Sequence, residues 1–368
     1  MSRVWRYLVL LLAIGALGGL ATWWALPWVV EALPGRVQQR LPDQVLALAS
    51  TPLPTALPAP TMDRLRATAV ITIPTLPPPT ATPSPTSQPI HQPTVQPTRQ
   101  PTATPSATPL LTAVRLTGLE IVPQKFNNCG PANLSLVLSY YGLPDDQFDV
   151  AAVVRPTYDD RNVSPEELAA YVNNHTPLRA ALYRGGRREI LQQLLAAGFP
   201  VIVEKGLLPS EWEGWMGHYL TLIGYDDAEQ VFISLDTFLG PWDSSGRLDS
   251  YESFADYWSH FNNAFLVIYP PEAADQVAGI VGQTMSSPLT MWQHAAEQAQ
   301  QQTIAAPDNA FAWFNLGSSL TRLGTLTGET AYYQNAAAAF DRARAVGLPW
   351  RMLWYQFEPY EAYLAIGR

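Results

Sequence analysis

The chain has 368 residues with a net charge of −9, and only 14% of its residues are charged, against about 25% in an ordinary globular protein. Between Val114 and Pro270 ten Lys/Arg face twenty Asp/Glu. So acidic a surface repels phosphate backbones and argues against a nucleic-acid partner. One cysteine, Cys129, excludes a disulfide within the chain, so the thiol needs another reason: a small buried hydrophobe or a reactive group.

Residues 1–31 read as a transmembrane signal-anchor. Tyr7 to Val30 are 24 positions without a charge, enough at about 1.5 Å per residue to cross the roughly 30 Å bilayer core. Arg3 and Arg6 precede the run and Trp23, Trp24 and Trp28 close it. This predicts a single-pass protein of the cell membrane, with a cytoplasmic N-terminus and an extracytoplasmic remainder. A cleaved signal peptide is the alternative. Residues 32–113 are a Pro/Thr-rich linker, densest from Thr51 to Leu110, whose composition predicts a disordered, semi-rigid spacer.

Residues 114–271 have the pattern of a folded α+β domain. A strand is expected over Arg115–Val122. A helix follows, opened by Gly130-Pro131, with Leu134, Val137, Leu138 and Tyr141 on one apolar face and Gly142 as its C-terminal cap. Helices over Ser164–Asn173 and Arg188–Ala197 come next, the first with a capping box at Ser164–Glu167. Strands then fit Pro200–Glu204, His218–Gly224, Val231–Asp236 and Ala264–Tyr269. Asp226-Asp227-Ala228 marks a hairpin turn and Asp243 a loop.

The chemistry concentrates at Cys129, just before a helix start, where free backbone N–H groups favour a thiolate and can hold an oxyanion. Of five histidines, His91 falls in the linker, His294 in the tail, His175 in a polar run and His260 near a helix end. His218 heads an apolar strand and is the candidate proton acceptor, a satisfied core histidine being the alternative. If Tyr225 lies opposite Val231, Asp236 faces Leu220 and sits diagonally from His218 on the same side of the sheet, where it would orient the imidazole. Trp212, Trp215 and Met216, before His218, suit a substrate-covering loop or core packing.

Gln124, the run Asn128-Cys129-Gly130-Pro131-Ala132-Asn133, Gly217-His218-Tyr219 and Ile223-Gly224-Tyr225-Asp226-Asp227 together resemble cysteine peptidase family 39. These papain-like enzymes include the double-glycine leader peptidases of bacteriocin exporters. The resemblance spans about Leu116 to Pro270 and includes a closing segment, Tyr251 to Phe254, Trp258 and Phe265 to Pro270. It implies a papain-like fold, Cys129 as nucleophile, His218 as base, Asp236 as its orienting acid, Gln124 in the oxyanion hole, a thioester acyl-enzyme, and no cofactor or metal. Asp236 is followed by Thr237, where proline is more usual in the family. No Gly-x-x-x-x-Gly-Lys-Ser/Thr run of an ATP-binding cassette is present, and the exporter enzymes act on the cytoplasmic side whereas this domain is expected to face outward, so the double-glycine leader substrate is not carried over.

Residues 285–368 are helical by pattern and resemble tetratricopeptide repeats. Trp313, Leu316 and Gly317 fit a first helix; Ala336, Phe340 and Ala343 fit a second. Pro349 fits the turn, Trp354 restarts the pattern, and an insertion lies around Gly324–Thr330. Roughly two repeats are too few for a free array, so docking on the peptidase domain or a protein partner is expected, a helical cap that binds nothing being the alternative. The readings are thus a membrane-anchored peptidase acting on a peptide or protein substrate, a catalytically silent peptide-binding module with a helical interaction domain, or a thiol transpeptidase or amidase.

Overall fold

A computed structural model of the protein describes residues 111–157, 160 and 162–368, with a few scattered positions between 25 and 45. The expected anchor and linker thus lie almost wholly outside the described residues, and among those described no helix is long and apolar enough to cross a membrane.

A seven-stranded antiparallel sheet organises the first part. Its strands are β1 (Ala113–Arg115), β2 (Arg179–Tyr183), β3 (Val201–Leu207), β4 (Met216–Asp226), β5 (Val231–Leu235), β6 (Arg247–Ser250) and β7 (Phe265–Tyr269). The order is β2-β7-β3-β4-β5-β6, with β1 on the far end of β4. Helices α1 (Cys129–Tyr140), α2 (Gln147–Val154) and α3 (Pro165–His175) precede most of the sheet, and α4 (Arg188–Ala196) and α5 (Tyr251–Ser259) interrupt it.

Alternation along β3 and β4 explains the layering. Ile202, Tyr219, Leu266 and Ile268 face α1–α3, where Leu134, Val137, Leu138 and Leu168 close one apolar cluster. Val201, Val203, Leu220 and Leu222 face α4 and α5 and pack on Leu191, Leu194, Phe254 and Trp258. Both expected helix starts are present: Ser164 and Glu167 form a reciprocal capping box on α3, and Pro131 sits in the first turn of α1.

Three expectations need correction. The strand expected over Arg115–Val122 stops at Arg115; beyond it Leu119 and Ile121 bury against Leu136, Ile223 and Leu235 without ladder pairing. Tyr225 lies opposite Phe232, one residue away from the assumed register, while a bulge at Ile223 restores the assumed pairing at Leu222–Ser234 and Thr221–Leu235. The error at the turn therefore cancels before the strand ends that carry His218 and Asp236. Asp227 also does more than turn the chain, since its carboxylate accepts from Gln192 Nε2 at 2.6 Å and the Tyr251 hydroxyl at 2.7 Å.

The C-terminal part consists of α6 (Ala274–Val281), α7 (Pro288–Ala305), α8 (Ala310–Thr327), α9 (Thr330–Val346), a 3-10 turn over Trp350–Trp354, and α10 (Glu358–Ala365). Gly317 on α8 makes room for Phe340 on α9, whose ring atoms would lie 2.6 Å from any Cβ there. Helix α8 runs unbroken through Thr327, across most of the expected insertion, and Trp354 falls in the 3-10 turn, partly exposed, rather than opening a second repeat. These helices dock on the sheet: Phe261 and Ala264 share a cluster with Phe314, Leu316 and Phe340.

Candidate active site

Cys129 is the first residue of α1, and a tight turn aims it. Asn127 adopts a left-handed backbone (φ 56°), which asparagine tolerates, and the Asn128 N–H bonds back to the Lys125 carbonyl at 3.0 Å. Asn128 stands at the N-cap, yet its side chain does not cap the helix. Its Oδ1 accepts from Arg155 Nε at 3.2 Å and Nη2 at 2.8 Å instead. The helix start thus keeps backbone donors and the positive end of its dipole for an anion at Cys129. Gln147 clamps the approach to this turn, accepting from the Lys125 N–H at 2.8 Å and donating to the Pro123 carbonyl at 3.1 Å.

His218 and Asp236 meet as the diagonal geometry requires. Nε2 of His218 lies 3.0 Å from Oδ1 of Asp236, both groups being almost fully buried. The same Oδ1 accepts from the backbone N–H of Phe238 at 2.9 Å and Leu239 at 2.8 Å, which fixes the carboxylate. The Cys129 side chain is within electrostatic reach of the imidazole, and with Nε2 engaged by Asp236 the ring nitrogen left to face a thiol is Nδ1. Burial alone would lower the imidazole pKa, but the adjacent carboxylate outweighs it and holds the ring above the ordinary histidine range. Asp236 is correspondingly held low by His218 against the opposing effect of burial.

Gln124 completes the group through a relay that sequence reading missed. The Thr221 hydroxyl donates to Asn133 Oδ1 at 2.8 Å, and Asn133 Nδ2 donates to the Thr237 hydroxyl at 3.2 Å. That hydroxyl donates in turn to Gln124 Oε1 at 2.8 Å. The order of donors leaves the Gln124 amide with its NH2 facing away from Thr237, so the departure from Asp-Pro at Thr237 acquires a role. Asn133 Nδ2 also reaches the carbonyls of Cys129 and Tyr219, each at 2.9 Å, tying the nucleophile's helix to the histidine's strand. A polar residue one turn past a nucleophile is the signal that could have found Asn133; nothing in the sequence pairs Arg155 with Asn128.

The remaining histidines do other things. His175 is exposed beside Tyr171. His260 is buried, stacked on Phe311 at 3.6 Å and accepting from the Trp215 indole at 3.1 Å, with its pKa pushed down to about 3 by burial and then by Lys205. Trp215 packs between Phe261 and Phe311, whereas Trp212 is exposed.

A thiol at a helix start beside a carboxylate-oriented imidazole, on this sheet-and-helix scaffold, defines a cysteine peptidase. Residues 98–266 match the model of the Peptidase_C39 like family. Among solved structures, similar chains include a double glycine motif protease from an AMS/PCAT transporter in complex with the leader peptide, at 21% identity and TM-score 0.31 over 43% of this chain and 94% of that one. The peptidase domain of Streptococcus ComA, a bi-functional ABC transporter involved in a quorum sensing pathway, is similar at 16% identity and TM-score 0.32 over 41% and 98%. Xylellain, a cysteine protease from Xylella fastidiosa, is similar at 14% identity and TM-score 0.34 over 44% and 87%. No curated protein matches the chain.

Proposed function

We propose that the protein hydrolyses peptide bonds through Cys129, His218 and Asp236, with Gln124 in the oxyanion hole, on the extracytoplasmic face of a membrane to which residues 1–31 anchor it. The observation that carries this reading is the buried pairing of the His218 imidazole with the Asp236 carboxylate at 3.0 Å, on a strand that Asn133 ties to the helix opened by Cys129. The imidazole takes the thiol proton, and the thiolate attacks the peptide carbonyl. The tetrahedral oxyanion is held by Gln124 Nε2 and the Cys129 N–H. The imidazolium then gives its proton to the departing amine, leaving a thioester. Water, deprotonated by the same ring, hydrolyses the thioester and regenerates the thiol. Anchoring is supported by the uncharged run Tyr7–Val30 behind Arg3 and Arg6.

The test is alkylation of the full chain by a thiol-directed electrophile together with cleavage of a mixed peptide pool. Cys129→Ala should abolish both while leaving the melting temperature unchanged, and His218→Ala should slow labelling by about a hundredfold or more. Equal, slow labelling of wild type and His218→Ala would sink the reading. Loss of membrane association on removal of residues 1–31 tests the anchor.

A further inference from the structure

A cavity of about 550 Å³ lies between the catalytic domain and the C-terminal helices. None of Gln124, Cys129, His218 and Asp236 lines it, but two of its walls adjoin residues packed against their chain neighbours. One wall is the start of α3 at Ser164–Glu166; the preceding Val163 lies 3.4 Å from where a Cβ on Gly130 would stand. The opposite wall is Tyr355–Glu358. The Tyr355 ring lies 2.9 Å from where a Cβ on Gly217, the residue before His218, would stand, and it is within electrostatic reach of Cys129. The C-terminal helices therefore pack beside the strand that carries His218 rather than forming a detached module.

Charge and aromatic surface define what fits. Arg184 is paired with Glu166 at 3.1 Å, and Arg322 with Glu358 at 2.9 Å and Glu361 at 3.0 Å. These are the only two cationic side chains lining the cavity among the described residues, while Asp160 and Glu167 add further carboxylates. The lining is thus net negative. Glu358 is itself 92% buried (8% exposed), and its Oε2 has no partner among the described residues. Trp292, Trp354 and Phe357 complete the lining with rings whose faces attract organic cations. Ion-paired carboxylates alone would be a structural network; a buried acceptor left open at Glu358 beside aromatic faces points to a cationic donor, while Arg184 Nη1, also buried and without a partner among the described residues, is left for an acceptor such as a peptide carbonyl.

We propose that this cavity is a specificity subsite that takes a basic side chain, lysine or arginine, of the peptide substrate; the proposal rests on the peptidase reading. Glu204, on β3 in the same lining, supports it. Burial raises its carboxyl pKa to about 8, against the pull of Arg184 and with the push of Glu166 and Glu358. At neutral pH it holds a proton that an arriving cation would help to expel.

The experiment uses the full chain with Cys129→Ala and blocked peptides in which Lys, Gln or Glu is walked through each position. Calorimetry is run at pH 7 in two buffers of different ionisation enthalpy. At one position Lys should bind about tenfold or more tightly than Gln, with Glu weakest, and salt should erode the preference. Binding of the Lys peptide should release protons, and Glu204→Gln should abolish that release. Glu361→Lys should reverse the Lys-over-Glu order, with Glu361→Gln as the milder variant if the reversal costs folding. Affinities independent of charge at every position, in a variant that melts like the parent, would overturn the subsite. Selective binding without cleavage by the wild-type chain would leave the subsite standing and sink the peptidase reading. Charge-blind cleavage would do the opposite.

Discussion

The catalytic sheet and the C-terminal helices are built on different kinds of local information. In the sheet, the proposed catalytic side chains stand at element ends: Cys129 opens α1, His218 stands near the start of β4, and Asp236 follows β5. In the helices, the residues that reach the cleft, Tyr355 and Glu358, sit just after a 3-10 turn and at the first position of a short helix. The first region positions its groups by hydrogen-bonded registers. The second positions its groups by docking, through Trp215, Phe261 and Tyr355 and through Arg351 Nη1, which donates to the Glu213 carbonyl at 2.6 Å and the Trp215 carbonyl at 3.2 Å. Substitutions in the two regions should therefore fail differently, the first in rate and the second in stability and substrate choice.

The largest effect belongs to the buried pair. In Asp236→Asn the imidazole loses the charge that offsets its burial, so the ring titrates lower. In wild type, activity is expected to fall as pH rises through the raised imidazole pKa, because the acid that protonates the departing amine is lost. The substitution should move that basic limb down by about one pH unit or more and lower kcat by about a hundredfold or more. A pH profile with an unmoved basic limb would show that Asp236 has no such role.

A smaller rate effect is expected at Thr237. Valine preserves its shape and removes the hydroxyl that fixes the Gln124 carbonyl oxygen. The amide is then free to turn its NH2 away from the oxyanion, and kcat should fall about ten- to a hundredfold with KM little changed. A comparable rise in KM would mean that the relay holds substrate rather than the transition state.

Legibility follows the same division. The helix start picked out Cys129, whereas Gln124 came only from the family resemblance. The strand pattern picked out His218 and Asp236, because ladder geometry brings distant positions together by simple alternation. It did so at His218 and Asp236 even though the turn register was off by one, since the bulge at Ile223 absorbed the difference. Helix α2 was not expected; its apolar positions Phe148, Val150, Val153 and Val154 give no clean face, and the Asp146 cap with Asp149 that starts it was overlooked. Docking of the C-terminal helices was expected, but not its place. Aromatic residues such as Trp215 and Tyr355 declare that they will be buried without declaring against what.

The interface itself can be probed at Gly217. An alanine there would bring its Cβ to 2.8 Å from Phe261 and 2.9 Å from Tyr355, both ring atoms in a packed cluster. Overpacking of this kind should cost about 2–3 kcal/mol and loosen the helices from the sheet, visible as faster proteolysis within 285–368. Combined with Tyr355→Ala, the change should cost less than the sum of the two single changes, because one of the two rings that the methyl meets is then gone.

The smallest effect, and the one that depends on pH, is expected at Glu204, which belongs to the sheet yet faces the helices. Its folded pKa is raised to about 8, first by burial. In the unfolded chain it ionises in the ordinary carboxylate range. The folded state thus binds the proton more tightly, so the contribution to stability is complete at low pH and lost as pH rises toward about 8. Glu204→Gln carries no such charge. It should match wild type near pH 4 and exceed it by about 1–2 kcal/mol near pH 9 in denaturant titrations. Equal stabilities at both pH values would mean that the carboxylate is accommodated in its ionised form, and the cavity would then carry a full additional negative charge rather than a proton waiting to be displaced.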